Sequence, residues 1–251
     1  MSYYYTQVFK HFQPKLLDIT GSINELCKNF KETNLLICGE SHGVRENADL
    51  AYTLCKMLGI KQLAIERSAS NFEAFIQSAV EGQPNFLLPH VLLSPQASVL
   101  SLEMLKAIVT LIKDNSITTI KYVDIESTNN NILKDLDEKN YMRVREHEIA
   151  KNITMLNASN PTMVVLGNYH TRQDADETVG QSALQMVRQV RNTTYLKYHY
   201  LSGSQYNAGR LIHFRQASYN QNKGLPKDYK IMKISKNNFT IEIPKAHRIL
   251  V

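Results

Sequence analysis

Several features that would assign a class of function are missing from the 251-residue sequence. It contains no block of basic residues, no RNP-like aromatic signature and no zinc-finger spacing, so we expect no nucleic-acid partner despite the net charge of +6. No apolar run reaches the length of a membrane span, and the N-terminus, MSYYYTQVFKHFQPK, has no apolar h-region and no lipobox-like cysteine. These absences predict a cytoplasmic protein with no membrane partner.

Cysteine is also scarce, because the chain has only Cys27, Cys38 and Cys55. The number is odd, each cysteine lies in an apolar stretch, and no two form a CxxC pair. We interpret them as reduced thiols in the core of a cytosolic protein. The sequence also has no internal repeat and no low-complexity segment.

What the sequence does contain is an alternation of apolar strands and amphipathic helices. Strands are predicted at 34–40, 62–66, 118–124 and 162–166, followed by a fifth strand in TTYLKYHYL. A helix is predicted in PKLLDITGSINELCKNF with its start near Pro14, and a C-terminal hairpin in YKIMKISKNNFTIEI with its turn at Asn237 and Asn238. This order predicts a single α/β domain over 1–251, with a mainly parallel sheet covered by helices and a C-terminal β-hairpin.

Residues 83–96, QPNFLLPHVLLSPQ, interrupt the alternation with three prolines and a run of leucines. One interpretation is a lid that covers a ligand site. The other is a loop that packs into the core as structural filler, and the sequence leaves both open.

Ionisable residues follow four successive strands of the predicted sheet. One such residue is usually a solvated loop residue, but the carboxyl ends of parallel strands meet at one edge, where ligands bind in open α/β sheets. A cluster of histidines, carboxylates and arginines at that edge can bind a metal or perform acid–base chemistry. The residues are Glu40 and His42, Glu66 and Arg67, Asp124 and Glu126, and His170.

Two GxxH motifs support this interpretation. Gly39 lies three residues before His42, and Gly167 lies three residues before His170, each directly after a predicted strand. Glycine at such a position allows a sharp turn or a close approach. The alternative for the first motif is an ordinary helix-capping turn, in which a carboxylate lies near a helix N-terminus.

The helix RVREHEIAKN carries further candidates. Arg145 and Asn152 lie seven residues apart, two turns along one helix face. An exposed charged face is the alternative for most of this helix. His147 lacks the second histidine that a zincin-like motif requires, so we reject that motif.

Four segments of the chain, taken in order, resemble a superfamily that includes erythromycin esterase-like proteins, ChaN-like haem-binding proteins and the Tiki/TraB group. The segments are LLICGESHGVRENADL, LAIER, REHEIAKN and VVLGNYHT. A set of residues spread over 34–172 matches the pattern of the esterases. That pattern consists of a Gly-Glu…His-Gly start, an Arg-Glu pair, an isolated glutamate and an Arg-Asp-x-x-Met-Ala-x-Asn helix. The GESH spacing is one residue shorter than in the esterases and closer to the ChaN-like and Tiki-like pattern. The matching residues are Glu40, His42, Gly43, Arg45, Glu46, Glu66, Arg145, Glu146, Ala150 and Asn152.

The resemblance implies a three-layer α/β sandwich with a site at the strand ends. The activities in this superfamily include ester hydrolysis, metal-dependent peptidase activity and haem binding, and a shared fold does not choose among them. We expect a hydrolase of ester or amide bonds that acts on a small-molecule or peptide substrate. The alternatives are a protein that binds haem or another small molecule, and a partner-binding domain without catalysis. Two points argue against haem: the sequence has no export signal, and no stretch beyond FLLPHVLL indicates a large apolar pocket.

The expected roles follow from the chemistry of the side chains. The expected catalytic residues are His42, Glu40, Glu66, His170 and Arg145, where the arginine would stabilise negative charge. Substrate binding is expected from Arg45, Arg67, Asp124 and Asn152. A divalent metal is possible at His42, Glu66 and His170, and we expect both histidines to lie within about 8 Å of Glu66 so that one water or metal can bridge them.

Overall fold

The computed structural model describes residues 12–67, 69–82, 101–125, 136–207, 210–214 and 228–248. The predicted lid at 83–96 and Glu126 lie outside these ranges. No helix in the described ranges is long and apolar enough to cross a membrane.

Within the described residues, ten strands form one large sheet and one separate pair. The strands are β1 (Ile19–Gly21), β2 (Leu35–Glu40), β3 (Gln62–Ile65), β4 (Thr119–Tyr122), β5 (Thr162–Gly167), β6 (Thr194–Tyr200), β7 (Ser204–Asn207), β8 (Arg210–His213), β9 (Tyr229–Ser235) and β10 (Asn238–Ile243). The eight-stranded sheet has the order β1-β9-β10-β6-β2-β5-β3-β4, and β7 and β8 form the separate antiparallel pair. Every pair in the large sheet is parallel except β9 and β10.

Helices connect the strands. They are α1 (Ile23–Thr33), α2 (Glu46–Leu58), α3 (Ala69–Val80), α4 (Leu102–Lys113), α5 (Glu138–Thr154) and α6 (Ala183–Val190), with a short 3-10 helix at Asn168–Thr171. Two apolar clusters fill the space around the sheet: the larger includes residues of α1, α2 and α4, and the smaller includes residues of α5 and α6. The mainly parallel α/β fold predicted from the sequence is therefore confirmed.

The central strands explain why the sequence signal was clear. Every residue of β2 and β5 is buried, as expected of parallel strands covered on both faces. Gly59 ends α2 in the left-handed conformation at φ 65°, as its position after the apolar helix face predicts.

Two details of the prediction are wrong. The first helix begins at Ile23 rather than near Pro14, because Ile19–Gly21 pairs with β9 and Gly21 has a φ of 89°, which no α-helix contains. The C-terminal hairpin is present, but Asn238 is already the first residue of β10. Its second strand also pairs in parallel with β6, so the hairpin extends the main sheet rather than standing apart from it.

Candidate active site

The four strands that end in ionisable residues are neighbours in the sheet. Their order is β2-β5-β3-β4, and all three pairings are parallel, so their carboxyl ends meet at one edge. Glu40, the last residue of β2, lies opposite Gly167, the last residue of β5. The two GxxH motifs therefore leave adjacent strands with an offset of one residue.

Glu66 lies at the centre of this edge and its side chain is almost fully buried. Its Oε2 accepts a 2.6 Å hydrogen bond from the backbone N–H of Gly167, and its Oε1 accepts a 2.8 Å hydrogen bond from Arg145. Burial alone would raise the pKa of Glu66, but the positive charges of His170 and His42 outweigh it and hold that pKa well below the usual range. Glu66 is therefore a permanent carboxylate on which several cations converge.

His42 joins two carboxylates at the edge. Its Nδ1 lies 3.1 Å from Glu40 Oε1 and its Nε2 lies 3.5 Å from Glu66 Oε2. Burial alone would lower the pKa of His42, but the charge of Glu66 and the hydrogen bond to Glu40 raise it to about 9. The side chain keeps 12% of its surface exposed, while that of Glu40 is at 3%. Burial raises the pKa of Glu40, and the contact with His42 opposes this rise.

His170 makes the matching pair of contacts in a more buried position. Its Nε2 lies 3.2 Å from Glu66 Oε1 and its Nδ1 lies 3.2 Å from Glu146 Oε2. Burial opposes protonation here as well, but Glu66 and Glu146 raise the pKa of His170 to about 9. Glu146 Oε2 also accepts a 2.7 Å hydrogen bond from the N–H of Ala183, the first residue of α6.

The two glycines of the GxxH motifs make room for side chains from other parts of the site. A Cβ on Gly167 would lie 2.7 Å from His42 Nε2, which is closer than real Cβ atoms come to any neighbour. A Cβ on Gly39 would lie 2.8 Å from the hydroxyl of Tyr195 and would also overlap Thr171, which follows His170. Both glycines are therefore needed for close approach rather than for a special φ.

Arg145 connects the fourth strand end to the cluster. Its Nε and Nη2 each donate a 2.8 Å hydrogen bond to Asp124, one to each carboxylate oxygen, while Nη2 also reaches Glu66. This bidentate pairing fixes the plane of the guanidinium. Asn152, on the same helix, donates a 3.2 Å hydrogen bond to the carbonyl of Val123 and so supports the backbone beside Asp124.

A cavity of about 440 Å³ opens onto the cluster. Its walls combine the clustered charges with polar side chains and with Tyr169, whose ring is edge-on to His170 at 5.6 Å. The lining residues are Glu40, Ser41, His42, Glu66, Glu138, Met142, Arg145, Gly167, Asn168, Tyr169, His170 and Gln205.

None of the four residues expected to bind substrate is among the residues that line this cavity. Asp124 and Asn152 support Arg145 and the strand end, as described. Arg67 is buried beside Glu66 and Asp124, and burial lowers its pKa to about 10. Arg45 is exposed at the start of α2, with its guanidinium 5.3 Å from the centre of the Phe12 ring.

The expected metal ligands meet, but not as a coordination shell. Both Nε2 atoms of His42 and His170 point to Glu66, whose oxygens also accept hydrogen bonds from an arginine and a backbone amide. Within the described ranges, no group of three or more histidine, cysteine, aspartate or glutamate side chains is arranged to hold a metal ion. The donor set as arranged suits a network of ion pairs and not a cation, so no step below depends on a metal.

Sequence reasoning did not select Glu146 as a site residue, although it is part of the helix motif. A signal was present, because Glu146 shares a helix face with Ile149, Ala150 and Ile153, all of which are buried. A carboxylate on an apolar face needs a partner. Asn168, Tyr169 and Gln205 had no comparable signal.

No family model matches the chain, and no curated protein matches it in sequence. Solved structures do match over almost its whole length. A succinoglycan biosynthesis protein has a TM-score of 0.62 at 12% identity, covering 99% of this chain and 98% of that one. A mutant of erythromycin esterase EreC, in its open conformation, has a TM-score of 0.60 at 9% identity, covering 90% and 93%. A Bacillus cereus protein has a TM-score of 0.57 at 12% identity, covering 99% and 98%. At these identities the likeness shows that the chain shares the fold of these proteins, as the resemblance of its motifs predicts.

Proposed function

We propose that the protein is a hydrolase of ester or amide bonds, with His42 as the general base that activates water. The observation that carries the proposal is the position of the His42 imidazole, which lies in the wall of the cavity with a carboxylate at each ring nitrogen. A base held by a second group in this way is the usual arrangement for proton transfer in hydrolases. The fold shared with erythromycin esterase EreC adds support.

Each neighbour of His42 has a defined part in this proposal. Glu40 holds Nδ1–H, so that Nε2 is the nitrogen that takes the proton of the attacking water. Glu66 stabilises the imidazolium that results. The positive charges of Arg145 and His170 lie near the reacting carbonyl and offset the negative charge that develops on its oxygen.

The raised pKa of His42 sets the expected pH dependence. With a pKa of about 9, the imidazole is mostly protonated at neutral pH and only the deprotonated fraction can act as a base. The rate of hydrolysis should therefore rise as the pH approaches 9, and it should fall at higher pH, where His170, whose pKa is also about 9, loses the positive charge that offsets the developing negative charge.

A panel of p-nitrophenyl esters and fluorogenic peptides tests the proposal. His42→Ala should remain folded and lose about 100-fold or more in kcat. His147→Ala is the matched control, because His147 is exposed on α5 and should be replaceable without effect. A folded His42→Ala protein with the activity of the unmutated chain would contradict the assignment.

The cofactor alternatives need separate measurements. Metal binding by His42, Glu66 and His170 stays a prediction, which elemental analysis of the purified protein tests together with activity in EDTA. Haem binding has less support, because the described walls of the cavity carry five acidic or basic side chains besides His42, whereas ligand pockets of this kind are mostly apolar. An absorbance scan with added haemin tests it directly.

A further inference from the structure

The backbone N–H and C=O of Ser41, which lies between Glu40 and His42, both form hydrogen bonds with side chains from other elements. The hydroxyl of Tyr200 accepts a 3.1 Å hydrogen bond from the N–H of Ser41. The side-chain amide of Asn47 donates a 2.9 Å hydrogen bond to the carbonyl of Ser41. Tyr200 in turn donates a 2.7 Å hydrogen bond to Asn47 Oδ1, which closes a ring of three residues.

This ring is shielded from water. Tyr200 is 6% exposed and Asn47 is 3% exposed. Hydrogen bonds in such surroundings are strong, and losing one leaves a buried polar group without a partner. The ring of Tyr200 also stacks on Phe214 at 4.7 Å, so its position does not depend on the hydroxyl alone.

The geometry points to Tyr200 and Asn47 as positioning residues for the Glu40–His42 pair. Glu40 and His42 flank Ser41 in the sequence. The orientation of the Ser41 backbone therefore decides whether Glu40 Oε1 and His42 Nδ1 meet at 3.1 Å. Tyr200 and Asn47 fix it from both directions. The catalytic part of this inference rests on the proposed function, whereas the geometric part does not.

Tyr200→Phe is the main test, because it removes the hydroxyl and keeps the stacked ring. Tyr198→Phe is its matched control: Tyr198 lies two residues earlier on β6, is also buried, and its hydroxyl has no hydrogen-bond partner within the described residues, although the Cys38 thiol is nearby. Asn47→Asp is the second variant. It keeps the acceptor for Tyr200 and loses the donors to Ser41 and to Glu40, whose pKa the Asn47 side chain lowers. The position is near a helix N-terminus, which favours a carboxylate.

Two readouts separate positioning from structural damage. Histidine-selective NMR, assigned with His42→Ala, should show shifted or broadened His42 resonances in Tyr200→Phe and Asn47→Asp and unchanged ones in Tyr198→Phe. With p-nitrophenyl acetate as probe, kcat should fall about 10- to 100-fold in the first two variants with KM nearly constant. Unchanged His42 resonances in both variants would overturn the inference. An unmutated protein that hydrolyses no member of the panel would instead overturn the proposed function, and the NMR result would still decide the positioning role.

Discussion

Glu66 is the residue at which the charges of the site converge. Its two oxygens face the guanidinium of Arg145, the rings of His42 and His170, and one backbone amide. Each of these groups favours the ionised carboxylate, and the carboxylate favours the protonated form of both rings. The raised pKa values of His42 and His170 therefore share one main cause, the buried negative charge of Glu66, to which the contacts with Glu40 and Glu146 add.

This coupling predicts how stability depends on pH. The pKa values of His42 and His170 rise on folding from 6.5 to about 9, so the stability they contribute is complete below pH 6.5 and is lost as the pH rises through 9. Urea unfolding should therefore give a lower free energy of unfolding at pH 9 than at pH 6.5. In His42→Gln this decrease should be smaller, and the variant should be about 1–3 kcal/mol less stable than the unmutated protein at pH 6.5.

The exposed His147 supplies the comparison for this experiment. His147→Gln should retain the full decrease between the two pH values. The same slope in His42→Gln and in the unmutated protein would contradict the assigned ion pair.

The sequence located the ionisable residues of the strand ends but not the residues that hold them. His42 and Glu66 could be selected because each follows an apolar strand. Tyr200 and Asn47 could not, because they are 153 residues apart and each looks like an ordinary core or helix residue. Only the fold brings these side chains to Ser41.

At the scale of elements, the paired GxxH motifs explain how two histidines reach one carboxylate. Strands β2 and β5 are direct neighbours, and Gly167 leaves the space that the ring of His42 occupies. The glycine of this motif therefore allows a histidine of the neighbouring strand end to pack closely, in addition to its place in a turn. Its spacing alone does not indicate which histidine lies over which glycine.

Gly167→Ala should disable the site at a modest cost in stability. The added Cβ would lie 2.7 Å from His42 Nε2, so the ring must leave its observed position beside Glu66 Oε2. We expect a loss of about 100-fold in kcat, as for displacement of a catalytic group by about 1 Å. Gly59→Ala provides the contrast: no atom of the described residues lies within 4 Å of the added Cβ, but the φ of 65° at this position makes the change cost about 1–2 kcal/mol.

Measured together, the two variants separate site geometry from stability. Gly59→Ala should lose stability and keep its activity, and Gly167→Ala should show the larger loss of activity. Full activity in Gly167→Ala would show that His42 tolerates the displacement and would contradict the packing argument.

Elements were predictable where local pattern and burial agree. The strand predicted at 162–166 is observed at Thr162–Gly167, because its apolar run matches a fully buried strand. The first helix was misplaced because β1 is only three residues long and is stabilised by β9, more than 200 positions later in the chain. Short strands of this kind are set by distant partners and leave little local signal.

For the whole molecule, the last described segment returns to the loop that carries His42. The backbone N–H of Arg45 donates a 2.8 Å hydrogen bond to the carbonyl of His247, and Val44 forms a β-bridge with Arg248. His247 N–H donates a 2.8 Å hydrogen bond to Glu46 Oε2, and its ring contacts the other oxygen. No sequence pattern predicts a contact between residues 201 positions apart. The alternation of strands and helices predicted the fold class, whereas nothing in the sequence predicted the contact between the last described segment and the loop that carries His42.

Glu46→Ala should therefore loosen the loop between β2 and α2. Glu46 is 7% exposed and accepts both contacts from His247, so its loss should cost about 1–3 kcal/mol in the free energy of unfolding. Hydrogen exchange should become faster at the amide of Arg45, whose acceptor belongs to the released segment. Glu32→Ala, at an exposed glutamate of α1, is the control and should change stability by less than about 0.5 kcal/mol. Slow exchange at Arg45 together with unchanged stability in Glu46→Ala would contradict this role of Glu46. It would mean that the last described segment is held by its other contacts, those of Ala246 with Ser202 and Ser204.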